Sequence, residues 1–201
     1  MIDEIARNIA ISRWALPECL HVPIAAVDEH AISSYVGDIV QVLGRGSPPK
    51  ALLLSAKPPP QPDERLPIWS FEGSKVFYRQ MQVWVHVTYT RYRRAYQRAF
   101  PTENIDDKIL SHAMNRRAAA LQGFRYVRIT PISRNANSSS AFSEGWEVAE
   151  APTNTRGTFI QYADLCALML MLDMKLGGGV MDAVNEGQKL VRPRPDQAPL
   201  L

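Results

Sequence analysis

Cysteine is scarce in this chain: of 201 residues only Cys19 and Cys166 are cysteines, and 147 positions separate them. That spacing is neither a disulfide framework nor a zinc-binding pattern, so it favours a reducing compartment. Long apolar runs are also missing, because the longest has eight residues, 165–172, whereas a helix needs about 20 to cross a bilayer. The first residues, MIDEIARNIA, lack the basic and apolar regions of a signal peptide. We therefore expect a cytoplasmic protein without a membrane partner.

Motifs that would name a reaction or a cofactor are absent as well. The sequence has no Walker phosphate loop, no GxGxxG fingerprint and no cysteine–histidine cluster at metal-binding spacing. The glycine run 177–179 follows a predicted helix rather than a strand, which is typical of a helix end and not of a phosphate cradle. No cofactor is evident. A bound divalent metal stays open, and so does the question whether the protein is an enzyme.

Lysine is sparse, with six residues against seventeen arginines. Between positions 79 and 134 lie ten arginines and one lysine with three acidic residues, a net charge of +8. Because the whole chain carries +3, the remainder carries −5. Arginine binds phosphate or carboxylate through two parallel donors and stacks on aromatic rings. The distribution predicts an anionic partner or pairing with the protein's own acidic surfaces, although a GC-rich genome produces the same arginine excess.

The N-terminal third has mostly helical periodicity. Apolar residues recur at helical spacing over residues 2–14 and again over 24–43, where glycines and prolines end the second pattern. Residues 50–56, KALLLSA, are typical of a buried strand. Five prolines in KPPPQPDERLP, residues 57–67, predict an extended connector.

The alternation over residues 76–89 predicts a strand with one buried face and one polar face, the latter carrying Trp84 and His86. A short helix over 92–100 follows it. Further along, the patterns predict a helix over 107–121 capped by Asn104 or Asp106 and closed by Gly123, a strand over 124–132, a polar loop over 133–145, a strand over 146–149, and helices over 160–174 and 180–190.

These elements predict an α+β fold, in which a small, mostly antiparallel sheet has helices packed on one face. We expect one compact domain over residues 1–191. Its parts are an N-terminal helical part (1–56), the proline-rich connector (57–67), a basic core (68–150) and a C-terminal helical part (158–191), followed by a flexible tail (192–201).

Polar side chains concentrate on the predicted helix 107–121. At helical spacing Lys108, His112, Asn115 and Arg116 share one face. Such a stripe can grip phosphates, and His112 can serve as a base or a metal ligand. An ordinary solvated helix face carrying one histidine gives the same pattern.

The predicted loop 133–145 adds Asn135, Asn137 and Glu144. A loop of this length inside a compact domain is often functional, although asparagine and serine are also common loop formers. Together with His112, these residues resemble a degenerate His-Asn-His nuclease site. The aspartate–histidine pair that opens the family motif is replaced by Ser111–His112, and no histidine follows position 112. The resemblance implies metal-dependent phosphodiester cleavage with His112, Asn135, Asn137 and Glu144 as catalytic residues.

The leading hypothesis is a nucleic-acid or phosphate-binding protein. Residues 89–100, YTRYRRAYQRAF, interleave four arginines with four aromatics, a combination that holds single-stranded nucleic acid, although the tyrosines fit a core equally well. The predicted phosphate contacts are Arg91, Arg93, Arg94, Arg98, Lys108, Arg116, Arg117 and Arg134.

Two alternatives stay open. A non-enzymatic assembly protein would pair its arginine-rich segment with acidic surfaces of its own subunits, as a homo-oligomer, or of a partner. A small-molecule enzyme would have a pocket near Trp84, His86 and the loop 133–145.

Overall fold

The computed structural model describes residues 22–57, 79–139, 158–163 and 165–173. Within these ranges the chain forms seven strands and four helices, and residues 134–139 add a further short helical segment. In chain order the elements are β1 (Pro23–Ala26), α1 (Glu29–Tyr35), β2 (Gly37–Gly44), β3 (Ala51–Ala56), β4 (Met81–His86), α2 (Tyr92–Ala99), β5 (Ile109–His112), α3 (Arg116–Leu121), β6 (Tyr126–Ile132), β7 (Ile160–Tyr162) and α4 (Leu165–Met171).

The strands form one curled sheet in which the described pairings are antiparallel. The strand order is β2-β3-β4-β6-β1-β7, and β5 also pairs with β6. Ile129 of β6 faces Val83 of β4 on one edge and His112 of β5 on the other. Val127 likewise faces Ala25 of β1, so β1 and β5 lie end to end along the same edge of β6. The α+β class with a small, mostly antiparallel sheet is confirmed.

Successive strand residues point to opposite faces of the sheet, and helices cover both faces, whereas the sequence predicted them on one face. The face that carries Val83 and Val85 packs against Tyr96 of α2 and against α3. The opposite face carries Trp84 and packs against Ile32 of α1.

The polar face predicted for the strand 76–89 is wrong, because α1 covers it. The strand itself is shorter, 81–86, and residues 76–78 lie outside the described ranges. On the side expected to be solvated, Gln82 is 4%, Trp84 0% and His86 9% exposed. The buried polar groups are paired: Trp84 Nε1 donates to Gln82 Oε1 at 3.1 Å, and Gln82 Nε2 donates to the carbonyl of Arg79 at 3.0 Å.

The long helix predicted over residues 24–43 is also wrong, since this segment contains β1, α1 and most of β2. Asp28 starts α1 by accepting a hydrogen bond from the N–H of Ala31 at 2.7 Å. Gly37 begins β2 where the backbones approach closely, because a Cβ there would lie 2.2 Å from the carbonyl oxygen of Ser55. The isoleucines and valines of this segment are compatible with a helix or a strand. Residues 37–44 form a strand because they pair with β3. The strand predicted over 50–56 is confirmed as β3.

The helix predicted over residues 107–121 is wrong in its first half. Residues 109–112 form β5, because they pair with residues 129–132 of β6. α3 begins after Asn115, whose Oδ1 accepts from the N–H groups of Arg117 at 2.8 Å and Ala118 at 3.3 Å. The predicted end is confirmed, since Gly123 has a φ of 83° just after the helix. The predicted helix 92–100 and strand 124–132 are confirmed as α2 and β6.

Two predictions fail near the C-terminal end of the described chain. The predicted helix 160–174 begins instead as the strand β7, which pairs with β1, and becomes helical only at α4. The predicted loop 133–145 is helical over 134–139. The predictions for residues 2–14, 58–67, 146–149, 180–190 and 192–201 lie outside the described residues, and the division into domain parts stays a prediction. Among the helices that are described, none has the length and apolarity to cross a membrane.

Candidate functional site

Two adjoining depressions lie where α2, β5, α3 and the helical segment 134–139 meet. The first, which we call the His112 depression, has a volume of about 550 Å³. Its polar lining includes Thr88, His112, Asn115, Arg116 and Arg117. The second, the Lys108 depression, has about 540 Å³, and its lining includes Arg93, Lys108, Arg134 and Ser138. The two share Tyr92, Ile109, Leu110 and Asn137, and we name them together the basic cleft.

His112 lies in the wall of its depression, at the end of β5. Its ring meets the ring of Tyr92 edge-on, with centroids 4.8 Å apart and an interplanar angle of 76°. The Nε2 atom is buried and has no hydrogen-bond partner among the described residues. Burial, and secondarily the positive charge of Arg116, lower the pKa of His112 to about 4. The imidazole is therefore neutral at pH 7.

The start of α3 brings the next polar groups into the depression. Asn115 caps the helix, and Arg116 and Arg117 follow directly. The Arg116 guanidinium donates to the carbonyl of Tyr89 at 3.2 Å and lies 5.8 Å from the centre of the Tyr92 ring. Arg116 is half-buried and held in place, whereas Arg117 is exposed.

α2 is amphipathic: its buried residues are Ala95 and Tyr96, while its arginines face outward. Two of these arginines tie the helix to its surroundings. Arg93 donates to the carbonyls of Ile105 at 2.9 Å and Lys108 at 2.7 Å, and Arg98 donates to the carbonyl of Leu43 at 3.0 Å. The two arginines thus carry positive charge, and they also satisfy backbone carbonyl groups that would otherwise need hydrogen bonds from water.

Few cations of the basic segment pair with carboxylates in the described part of the chain. Arg79 pairs with Glu103 at 2.7 Å, and Lys108 pairs with Asp173 at 3.1 Å. Arg91, Arg94, Arg117 and Arg134 are exposed, and no described carboxylate forms an ion pair with any of them.

The folded chain brings together part of the predicted site by a different route. His112, Asn115 and Arg116 do not share a helix face, yet they line one depression together with Asn137. Lys108 lies in the adjoining depression with Arg134. Asn135 is exposed on the segment 134–139 and is not part of either lining, and Glu144 lies outside the described residues. No group of three or more metal-ligating side chains occurs in the described ranges.

Sequence reasoning left open whether Tyr92 contacts a ligand or belongs to the core, and in the structure Tyr92 lines both depressions. Its position inside the arginine–aromatic run 89–100 was the available signal. The pair Trp84 and His86 lies elsewhere, on the face covered by α1. There Trp84 is fully buried, and His86 contacts Thr88 Oγ1 at 2.8 Å and the Tyr126 ring at 5.5 Å.

Comparisons with family models, with curated proteins and with solved structures found no match for this chain.

Proposed function

We propose that this protein binds nucleic acid through the basic cleft, with phosphodiester groups held by arginine and lysine side chains. The observation that carries the proposal is the charge of the lining. The described lining of the two depressions includes no acidic residue. It includes five cations: Arg93, Lys108, Arg116, Arg117 and Arg134. A concave surface of one sign focuses its potential and attracts ligands of the opposite sign, and such contacts supply most of the affinity for a phosphate backbone.

The five cations are not equivalent. Arg93 and Arg116 donate to backbone carbonyls, and Lys108 pairs with Asp173. Arg117 and Arg134 are exposed and have no ion pair with a described carboxylate, so binding phosphate requires no existing carboxylate contact to be broken. We therefore expect Arg117 and Arg134 to make the main phosphate contacts. Arg91 and Arg94 extend the positive surface along α2.

Metal-dependent cleavage of the bound strand would depend on His112. With a pKa of about 4, His112 is a weak proton acceptor near neutrality, but its neutral ring keeps a lone pair that can bind a metal ion. Asn137 shares its depression. Binding is the function that we propose, and cleavage is an outcome to be measured alongside it.

The test is fluorescence anisotropy with labelled oligonucleotides over a range of salt concentrations. Each phosphate neutralised changes the logarithm of the binding constant by about 0.9 per unit of the logarithm of the salt concentration. The double variant Arg117→Ala/Arg134→Ala should weaken binding and reduce that slope by about 2. Arg45→Ala is the matched control, since Arg45 is exposed and lies outside the basic cleft.

Cleavage is measured on the same oligonucleotides by gel electrophoresis with Mg²⁺ or Mn²⁺, comparing the wild type with His112→Ala. Absence of binding at low salt would contradict the proposal. In that case the arginines would face a protein partner or a second subunit, and light scattering would give the oligomer mass.

A further inference from the structure

The His112 depression has two features that phosphate binding alone does not require. The first is aromatic: the Tyr92 ring lies in its wall, flanked by the His112 ring at 4.8 Å and the Arg116 guanidinium at 5.8 Å. The second is a set of neutral polar side chains in the same wall, which can bond to the edge of a flat ring.

The size and remaining lining of the depression also suit more than a phosphate. Its volume of about 550 Å³ lies within the range of about 300–1,000 Å³ that small organic ligands occupy. Thr88, Ser111 and Asn115 add neutral polar groups to the wall. Because Asn115 Oδ1 already accepts from the backbone of α3, the amide NH₂ is the end left to face a ligand. A nucleobase offers a flat ring together with donors and acceptors on its edge.

We propose that the His112 depression receives one unpaired nucleobase, so that the ligand of the basic cleft is single-stranded nucleic acid. The inference rests on the proposed function, because the phosphates on either side of that base are held by Arg117 and by the cations of the Lys108 depression. The base stacks against the Tyr92 ring next to the Arg116 guanidinium, and its edge bonds to the neutral polar side chains of the wall, Thr88, Ser111 and Asn115. In a duplex the bases are stacked and paired, so none reaches the depression.

The experiment blocks the depression without touching the core. Ala120 is exposed on α3 and lines the His112 depression, whereas its neighbour Leu121 is exposed and does not line it. Ala120→Phe therefore fills the depression, and Leu121→Phe is the matched control. Anisotropy is measured for each protein with a single strand of roughly 12 nucleotides and with the corresponding duplex, at one salt concentration. Circular dichroism verifies that both variants fold.

The wild type should bind the single strand more tightly than the duplex, and Ala120→Phe should lower the affinity for the single strand by about tenfold. Duplex binding should be unchanged in that variant, and Leu121→Phe should leave both affinities unchanged. Equal affinity for both forms in the wild type, or an equal loss of both in Ala120→Phe, overturns the inference while leaving the proposed function intact. Binding of neither form at low salt overturns the proposed function and the inference together.

Discussion

At the scale of single residues, folding changes the chemistry of His112. The half-buried ring lies edge-on against Tyr92, and its Nε2 atom is buried without a described partner. Burial and the nearby Arg116 favour its neutral form and lower its pKa to about 4. The cleft therefore combines arginine and lysine side chains with one imidazole that is neutral at pH 7.

His112 makes the stability of the protein dependent on pH. In the unfolded chain histidine binds a proton near pH 6.5, and in the folded chain only near pH 4. Between these values the unfolded state binds more protons, so the free energy of unfolding falls as the pH decreases, by about 3 kcal/mol at most. Urea unfolding at pH 7 and at about pH 4.5 measures the difference. In His112→Gln this part of the pH dependence should disappear, and an unchanged dependence in the variant would contradict the assignment.

The cap of α3 depends on the Asn115 side chain. Asn115→Ala removes the acceptor for the N–H groups of Arg117 and Ala118 and should reduce the free energy of unfolding by about 1 kcal/mol. Asn115→Ser is the matched control, because serine is an equally good cap. Chemical denaturation measures both variants, and a loss of equal size in Asn115→Ser would show that the cap is not the cause.

At the scale of the elements, two glycines have different structural roles. Gly37 allows β2 to approach β3, since a Cβ there would meet the backbone of Ser55 and Ala56 within 3 Å. Gly123 ends α3 with a φ of 83°, and a Cβ there would meet no atom within 4 Å. A larger side chain is excluded at Gly37 by lack of space and is disfavoured at Gly123 by the left-handed backbone conformation.

Substitution of these glycines by alanine should therefore have unequal effects. Gly37→Ala forces the two strands apart and should cost more than about 3 kcal/mol of unfolding free energy. Gly123→Ala adds only the left-handed strain, about 1–2 kcal/mol. Thermal and urea unfolding of the two variants give the comparison. Equal losses would mean that the strand backbones relax around the added methyl group.

The sequence predicted those elements whose signals are local. The apolar run of β3, the amphipathic pattern of α2 and the glycine that ends α3 each lie within a few residues. It did not predict β5, because Ile109–His112 becomes a strand only by pairing with β6, about 20 residues later in the chain. The prediction that Lys108, His112, Asn115 and Arg116 share one helix face was wrong for the same reason.

At the scale of the whole molecule, one sheet connects two apolar clusters, one on each face. Trp84 and Val85 are neighbours in β4 and belong to different clusters. Cations of the basic segment help to join the elements, since Arg98 of α2 bonds to β2 and Lys108 pairs with Asp173 just after α4. The two clusters are coupled because they share strands. A strand that separates from the sheet exposes its apolar residues in both clusters.

We accordingly expect the described sheet and its helices to unfold as one cooperative unit. Urea transitions followed by tryptophan fluorescence and by far-ultraviolet circular dichroism should coincide. A Leu54→Ala substitution in the cluster beneath α1 should move both transitions together and cost about 2–5 kcal/mol. Two separated transitions would show that the chain contains more than one cooperative unit, contrary to the predicted single domain.

By itself, the sequence determined the charge of the segment 79–134, the α+β class and the elements with local signals. Only the tertiary structure decided which residues share a surface. His112, Arg116 and Asn137 line one depression because β5 pairs with β6 and the start of α3 lies beside Tyr92 of α2. It also decided which arginines bond to backbone carbonyls and which stay exposed. Contacts between residues far apart in the chain leave no periodic signal, so their partners are fixed only when the strands pair and the helices pack.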